Sequence, residues 1–591
     1  MAQRRAVWIV ALWLCIGSAR AEAAWFTEAT ERLGNRQPCL NSGCYSNYVL
    51  MADLDGDGDL DLAFANGGGY YQPGNAEPLA IYRNDGAGNF TEMNATALGG
   101  FVGRLRQIAV GDVDGDGDLD LLAADSWAKQ PDALFINRGN FAFIDEGAKR
   151  LGTSSRSAGA RFGDLDGDGD LDIALTDWGK KPYNSAGTAR VYLNNGKGYY
   201  AELPDAVTQG TSAIGTGPID IELFDADGDF DLDMLLASRK GNSLFFRNDG
   251  TGHFSDANAD LPDQPGPYVY GPDVCDVDGD HDLDVWLDNG GANLQEQLMI
   301  NDGKGHYTDE SAARITGNPD ADDNEVQCVD LDNDGDFDAV VASLSDVERT
   351  LINDGTGHFT LLAGTFPDIG DSTLGLDFGN VDGDGRLDAV TAQGEGGDFT
   401  NRLYLGGEDQ PRDTRPPQIT RVQFAPDPAH AGQMVVRVAV ADRHTTDAGP
   451  RVRDVRITWI AMTGAGAAGK TNAHFIGGDL FRAEFPMPPG SKAQVLIGAT
   501  DWAGNAGGGE PLVASMPARA PLPDATAVSP VDADTGGADS VAKPLKLEPE
   551  DHGGCAVQRR GAAPNWPMTW LVPLLASAVL TTRKRRGAAA A

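Results

Sequence analysis

One nine-residue acidic pattern occurs seven times in this chain, and its spacing constrains the fold more than any other feature. Asp53-Leu-Asp-Gly-Asp-Gly-Asp-Leu-Asp61 returns as Asp112 to Asp120 and as Asp164 to Asp172. It returns with small changes as Asp225 to Asp233, Asp276 to Asp284 and Asp330 to Asp338, and a seventh copy runs from Asn380 to Asp388. Successive copies start 59, 52, 61, 51, 54 and 50 residues apart, the length of a small sheet with its connections. A period of this size marks an architecture in which each unit buries its apolar faces against its neighbours.

The segments around each copy read as strands. Short apolar or alternating runs precede the acidic stretch, as in Arg106-Gln-Ile-Ala-Val110 and Asn324-Glu-Val-Gln-Cys328. Others follow it, as in Leu60-Asp-Leu-Ala-Phe64, Leu171-Asp-Ile-Ala-Leu175 and Phe337-Asp-Ala-Val-Val341, too short for helices. A third run, such as Leu79-Ala-Ile-Tyr82 or Arg190-Val-Tyr-Leu193, leads into a turn of the type Asn84-Asp-Gly-Ala-Gly-Asn-Phe90, repeated at Asn248, Asn301 and Asn353. Asn-Asp-Gly tolerates positive φ and favours a hairpin, and the aromatic beyond it opens a fourth strand. Four antiparallel strands per unit without a helical period predict an all-β fold built of propeller blades. The seventh unit stops at Gly406-Gly407 without its turn and aromatic, while Trp25-Phe-Thr-Glu-Ala-Thr30 supplies a matching strand at the other end of the chain. The expectation is therefore a seven-bladed β-propeller closed by an N-terminal strand, which leaves no unpaired edge in the ring.

Alternating aspartates curled by glycine converge oxygen ligands on a hard cation. Carboxylates at positions one, three, five and nine and the main-chain carbonyl at position seven make such a set. The candidate ligands are Asp53, Asp55, Asp57, Asp59 and Asp61; Asp112, Asp114, Asp116, Asp118 and Asp120; and Asp164, Asp166, Asp168, Asp170 and Asp172. They continue with Asp225, Asp227, Asp229, Asp231 and Asp233; Asp276, Asp278, Asp280, Asp282 and Asp284; and Asp330, Asp332, Asp334, Asp336 and Asp338. The last set is Asn380, Asp382, Asp384, Arg386 and Asp388. Packed carboxylates destabilise a fold until a cation compensates them. All-oxygen ligation without His or Cys favours calcium, up to seven ions, over zinc or copper, and magnesium prefers to keep its waters. Phe230 and His281 replace glycine at position six of the fourth and fifth copies, which weakens those sites. Arg386 at position seven of the last copy contributes only a carbonyl, leaving its side chain free to point away.

Flanking strands set these loops apart from a helix-loop-helix calcium hand, and the long period sets them apart from nonapeptide β-rolls. Residues 25 to 406, about two thirds of the chain, resemble the integrin-α type propeller repeat and its bacterial relatives named for phenylalanine-glycine and glycine-alanine-proline signatures (FG-GAP, also VCBS, repeats). Phe162-Gly163 and Phe378-Gly379 stand just before loops, where that family has its Phe-Gly. The resemblance implies calcium near one face of the ring and ligand recognition by the opposite loops.

The chain of 591 residues carries 88 acidic residues against 46 Lys plus Arg, a formal charge of -42 that disfavours nucleic acid as a partner. Residues 1–21 read as a signal peptide, with Arg4 and Arg5, an apolar stretch and Ala19-Arg-Ala21. Residues 22–410 hold the propeller and 411–417 a Pro-rich linker. Residues 418–515 hold a small immunoglobulin/fibronectin-like β-sandwich, read from runs such as Met434-Val-Val-Arg-Val-Ala-Val440 and Ala493-Gln-Val-Leu-Ile497. Ala499-Thr-Asp-Trp-Ala-Gly-Asn505 resembles the closing region of such modules on bacterial surface proteins, where they serve as spacers or accessory adhesion modules. Residues 516–553 read as a disordered linker. In residues 554–591, Gly554-Cys555, an apolar segment from Trp570 to Leu580 and Arg583-Lys-Arg-Arg586 resemble the C-terminal sorting tag (MYXO-CTERM) of myxobacterial surface proteins, which implies processing near Cys555 and membrane association. Cys39 and Cys44 are close enough to bridge in an oxidising compartment. Cys275 and Cys328 lie one and two residues before successive loops, where they could bridge adjacent blades, although the unequal offset weighs against side chains that face one another.

No isolated acid-base pair, Gly-x-Ser-x-Gly elbow or phosphate-cradling loop is legible. His253, His306 and His358 occupy equivalent turn positions in three different units and read as turn residues. The functional expectation is a calcium-stabilised, exported binding or adhesion protein on the surface or outer membrane of a Gram-negative bacterium, with an extracellular protein or glycan as ligand. The alternatives are a secreted propeller enzyme acting on polysaccharide or phosphoester, and a structural envelope component.

Overall fold

The computed structural model describes residues 24–34, 39, 44–67, 75–126, 132–152, 156–177, 188–208, 216–266, 268–395, 400–442, 452–463 and 468–518. The stretches read from the sequence as a signal peptide, as a linker from residue 519 onward and as a sorting tag lie outside the described residues.

Seven antiparallel sheets form the ring of a β-propeller, each with four strands in sequence order from the axis outward. In the first blade these are Ser46–Ala52, Asp61–Asn66, Ala80–Asn84 and Phe90–Glu92. In the fourth and sixth blades a two-residue strand, Val207–Thr208 or Ile315–Thr316, is added in parallel on the outer edge. The seventh blade takes its outer strand from the N-terminal segment: Phe26 pairs with Gly406, Thr27 with Leu405 and Glu28 with Tyr404. The closure read from the sequence is thus formed, and Phe26 is buried, stacked 4.3 Å from the Phe366 ring.

The apolar core of the ring is divided into seven clusters, one between each pair of neighbouring blades. This follows from strands buried on both faces: alternate side chains of one strand enter the clusters on either side. Near the axis, polar side chains of the inner strands tie one blade to the next. Gln107 accepts the Ala160 N–H, Asp273 that of Cys328, Glu325 that of Leu376 and Asp377 that of Met51, at 2.6, 2.7, 2.8 and 2.6 Å.

The same alternation corrects the expectation for Cys275 and Cys328, which form a disulfide with Cα atoms 6.4 Å apart. Val274 enters the cluster between blades four and five, and Cys275 the one between five and six. On blade six Cys328 faces back to blade five while Val329 faces blade seven. Side chains on opposite faces of consecutive blades point at one another, so the unequal offsets are what bring the sulfurs together. Cys39 and Cys44 are also bridged.

Residues 418–515 form a second all-β unit: eight strands in one curled sheet that wraps around its own core, consistent with an immunoglobulin-like sandwich. The four runs read from the sequence lie in Gln418–Pro426, Gln433–Ala441, Asp454–Thr463 and Lys492–Thr500. Gly469–Gly477, Leu480–Pro486, Ala506–Gly508 and Leu512–Ser515 complete it.

Candidate metal centres

Every acidic stretch connects the inner strand of a blade to its second strand, so all seven lie on one face of the ring. Glycine is needed within them because the chain turns left-handed: Gly56 and Gly58 have φ of +78° and +95°. Phe230 and His281 adopt the same region, at φ 70° and 74°, despite their side chains.

The position-nine aspartate organises each loop. Asp61 accepts the Leu54 N–H at 2.9 Å with one oxygen and the Asn84 N–H at 2.8 Å with the other. The same pair of bonds recurs at Asp120, Asp172, Asp233, Asp284 and Asp338. At Asp388 the second donor is Gly406. None of the seven is more than 2% exposed. Burial raises their pKa values from the ordinary 3.8, to about 8 for Asp61, Asp172, Asp284 and Asp388 and about 7 for Asp120. Burial likewise holds Asp233 and Asp338 well above the carboxylate range.

The remaining carboxylates gather around that anchor. Asp53, Asp55 and Asp57 present oxygens within 4.8 Å of one another, as do Asp112, Asp114 and Asp120, and Asp164, Asp166 and Asp172. So do Asp225, Asp227 and Asp229, and Asp276, Asp278 and Asp284. Position-seven side chains such as Asp59 and Asp231 lie outward against the turn glycines Gly86 and Gly250, where a Cβ would collide. The decisive test of fit is hydrogen bonding. One oxygen each of Asp114, Asp164, Asp227, Asp278 and Asn380 is buried and accepts no hydrogen bond. A buried carboxylate oxygen without a donor is costly, and a divalent cation is the partner that such a cluster of hard oxygens suits. Asn380 therefore fits the position-one role through its amide oxygen. Arg386 departs from expectation: its guanidinium turns back onto Asp384 of its own loop and also donates to the Gln410 carbonyl at 3.1 Å.

Two sets of residues escaped the sequence reading. The asparagine that opens each Asn-x-Gly turn does more than turn the chain. Asn84 donates its amide to Val381 in the loop of blade seven, Asn301 to Ala226 and Asn353 to Val277, each at 2.8 Å. Asn137, Asn194 and Asn248 do the same toward Leu54, Val113 and Leu165 at 2.9 Å. Position two of one loop is thereby fastened to the next blade. The second set is basic. Arg150 spans from Asp114 (3.3 Å) to the Lys197 carbonyl (2.7 Å), and Arg314 from Asp278 (3.2 Å) to the Thr356 carbonyl (2.8 Å). Arg247 spans from Asp227 (2.5 Å) to the Lys304 carbonyl (2.6 Å). Each ties a position-three carboxylate to the turn of the next blade. A recurring arginine soon after the outer strand, as in Arg32, Arg150 and Arg314, was the available signal.

The histidines contact their own turns, and His306 Nε2 also lies 3.6 Å from Asp260 Oδ1 of the preceding blade. Thr251 Oγ1 lies 3.1 Å from His253 Nδ1, Thr356 Oγ1 lies 3.0 Å from His358 Nδ1, and His306 donates its main-chain N–H to Asp302 at 3.3 Å.

The ring, its seven acidic loops and their shared face define a β-propeller with buried acidic clusters capable of coordinating a metal ion. A family model described as FG-GAP-like repeat matches residues 53–123, 112–175, 225–287 and 330–391, four stretches of the seven-bladed β-propeller. Among solved structures, the BP39L lectin from Burkholderia pseudomallei is similar at 12% identity and a TM-score of 0.42, over 61% of this chain and 96% of that one. No curated protein matches the sequence.

Proposed function

We propose that this chain is an exported, calcium-stabilised binding or adhesion protein of a bacterial cell surface, whose ligand is an extracellular protein or a glycan. The observation that carries the cation reading is the set of buried, donor-less oxygens aimed into the acidic loops. In each loop the side chains at positions one, three, five and nine would hold the ion, with the carbonyl at position seven, for up to seven ions. Calcium would neutralise carboxylates that otherwise repel, and so fix the inner ends of the sheets. In the last loop the set is Asn380, Asp382, Asp384, Asp388 and the carbonyl of Arg386, with the Arg386 side chain lowering the charge there.

Export is supported by the leader-like first residues and by two disulfides, which persist in oxidising compartments. Among the described residues no helix is long and apolar enough to cross a membrane, so the reading of membrane attachment rests on the C-terminal segment alone. The strong negative charge argues against nucleic acid as ligand.

The test is elemental analysis of the purified chain for bound metal, with a glycan and protein binding screen run in calcium and in chelator. Bound calcium and ligand capture that chelator abolishes and calcium restores support the reading. Turnover of a polysaccharide or phosphoester in the same screen would replace it with the enzymatic alternative.

A further inference from the structure

The second β unit rests on the face of the ring that carries the acidic loops. Ala439, Ile476 and Leu480 enter the same apolar cluster as Leu165, Leu232 and Phe246 between blades three and four. The Asp164 N–H donates to the Ile476 carbonyl at 2.8 Å. Around that seam three arginines of the second unit reach into loops three and four. Arg421 Nη1 donates to Asp225 Oδ2 at 2.6 Å. Arg482 Nη1 donates to the Gly167 carbonyl at 2.7 Å and lies 3.5 Å from Asp164 Oδ2. Arg437 lies 3.4 Å from Asp231 Oδ1.

The geometry at Asp225 distinguishes loop four from loops one and two. Its carboxylate accepts the main-chain N–H groups of Gly228, Asp229 and Phe230 and then the Arg421 guanidinium. A carboxylate offers about four acceptor sites, so Asp225 is saturated. Asp53 and Asp112 accept the equivalent three main-chain donors and, among the described residues, no arginine hydrogen bond. Phe230 gains a reason to stand where other loops have glycine. Its ring lies beneath the Arg421 guanidinium, 5.4 Å from centroid to Cζ, and is buried at the seam, which offsets its left-handed backbone.

We infer that loops three and four are closed by arginines of the chain's own second unit, so that docking of that unit and cation binding in those two loops compete. A guanidinium and a divalent ion cannot share the same acceptor site on Asp225, and two cations held that close repel. The hydrogen bonds and ion pairs that Arg421, Arg437 and Arg482 make with the ring all fall on loops three and four, so the other loops fill without displacing these guanidinium groups. Calcium concentration would then set whether the second unit lies against the ring or swings free, which makes this face a cation-controlled hinge. The inference rests on the cation reading of the loops given above.

The experiment is a calcium titration of the full chain by calorimetry, paired with small-angle scattering at each calcium level. The expected result is a tight set of sites followed by a separate weak set, with the radius of gyration rising only as the weak set fills. Arg421→Gln combined with Arg482→Gln should tighten the weak set by about tenfold or more, because the binding-competent state no longer has to be won from the docked one. The double variant should also expand the particle without calcium. Should it fail to fold, Arg437→Gln and Phe230→Gly, each milder, should shift the weak set the same way. One uniform set of sites, unchanged by these substitutions and without expansion, overturns the competition while leaving the metal loops in place. No calcium bound by any form overturns the cation reading as well, whereas expansion of the double variant in chelator still reports the arginine contacts by themselves.

Discussion

The side-chain amide of Asn84 donates to the main-chain carbonyl of Val381 at 2.8 Å, joining the first blade to the last across 297 residues of sequence. The same amide donates to the Leu60 carbonyl at 3.0 Å, so one side chain holds two acidic loops in register. Asn84→Ala leaves both carbonyls without that donor at a buried site. A loss of about 1–3 kcal/mol is expected, read as a lower urea midpoint at unchanged m-value.

The raised position-nine carboxyls give the metal-free protein a pH dependence of definite sign. Their folded values, about 7 to 8 for five of them, lie above the ordinary 3.8. The folded chain therefore binds more protons than the unfolded one, and the stability these groups contribute is fully present below pH 3.8 and lost as pH rises through 7 to 8. In chelator the melting temperature should fall across that window. With saturating calcium the fall should vanish, and calcium affinity should rise with pH, because each ion displaces protons.

Reduction of the Cys275–Cys328 bridge releases a covalent tie between blades five and six, 53 residues apart in sequence. Cys275→Ser with Cys328→Ser should cost about 2–4 kcal/mol, measured by denaturant unfolding against the oxidised parent. Retained midpoints would show that the apolar cluster around Trp286 and Val326 holds that junction unaided.

Removal of the closing contact should be more severe than its three paired residues suggest. Phe26→Ala empties a site where the ring packs on Phe366 and Phe378, at a cost of about 3–5 kcal/mol. The variant also loosens the outer strand of blade seven and leaves the edge of Arg402–Gly406 open. Size-exclusion chromatography should then detect oligomers that the parent lacks.

The order of strands was legible because each blade repeats a local pattern of short β runs, Asn-Asp-Gly turns and Asp-Gly alternation. Contacts between blades were not, since their partners lie some fifty or more residues apart and leave no trace in local spacing. Asn301 reads as a turn residue until Ala226 of the preceding blade is found against it, and Arg150 reads as an exposed base until Asp114 and Lys197 appear on either side of it. Cys275 and Cys328 lie on opposite faces of their own strands, and the ring sets those faces together. The Arg386 guanidinium pairs with Asp384 of its own loop, a contact that the position of Arg386 in the repeat does not announce. The second unit was readable as a β domain, yet Arg421, Arg437 and Arg482 gave no sign that they would face the acidic loops.

The strand Phe26–Glu28 leaves the ribosome before the rest of the ring and has no place to sit until Arg402–Gly406 has been made. Six blades and most of a seventh must therefore be synthesised, and carried across a membrane if the chain is exported, with that early strand waiting. Closing a loop of this length adds only slowly growing entropy, but it delays completion of the ring to a single late event. A chain stalled before its last blade would carry one unmatched apolar face at each end, the form most open to capture by chaperones or by a second nascent copy.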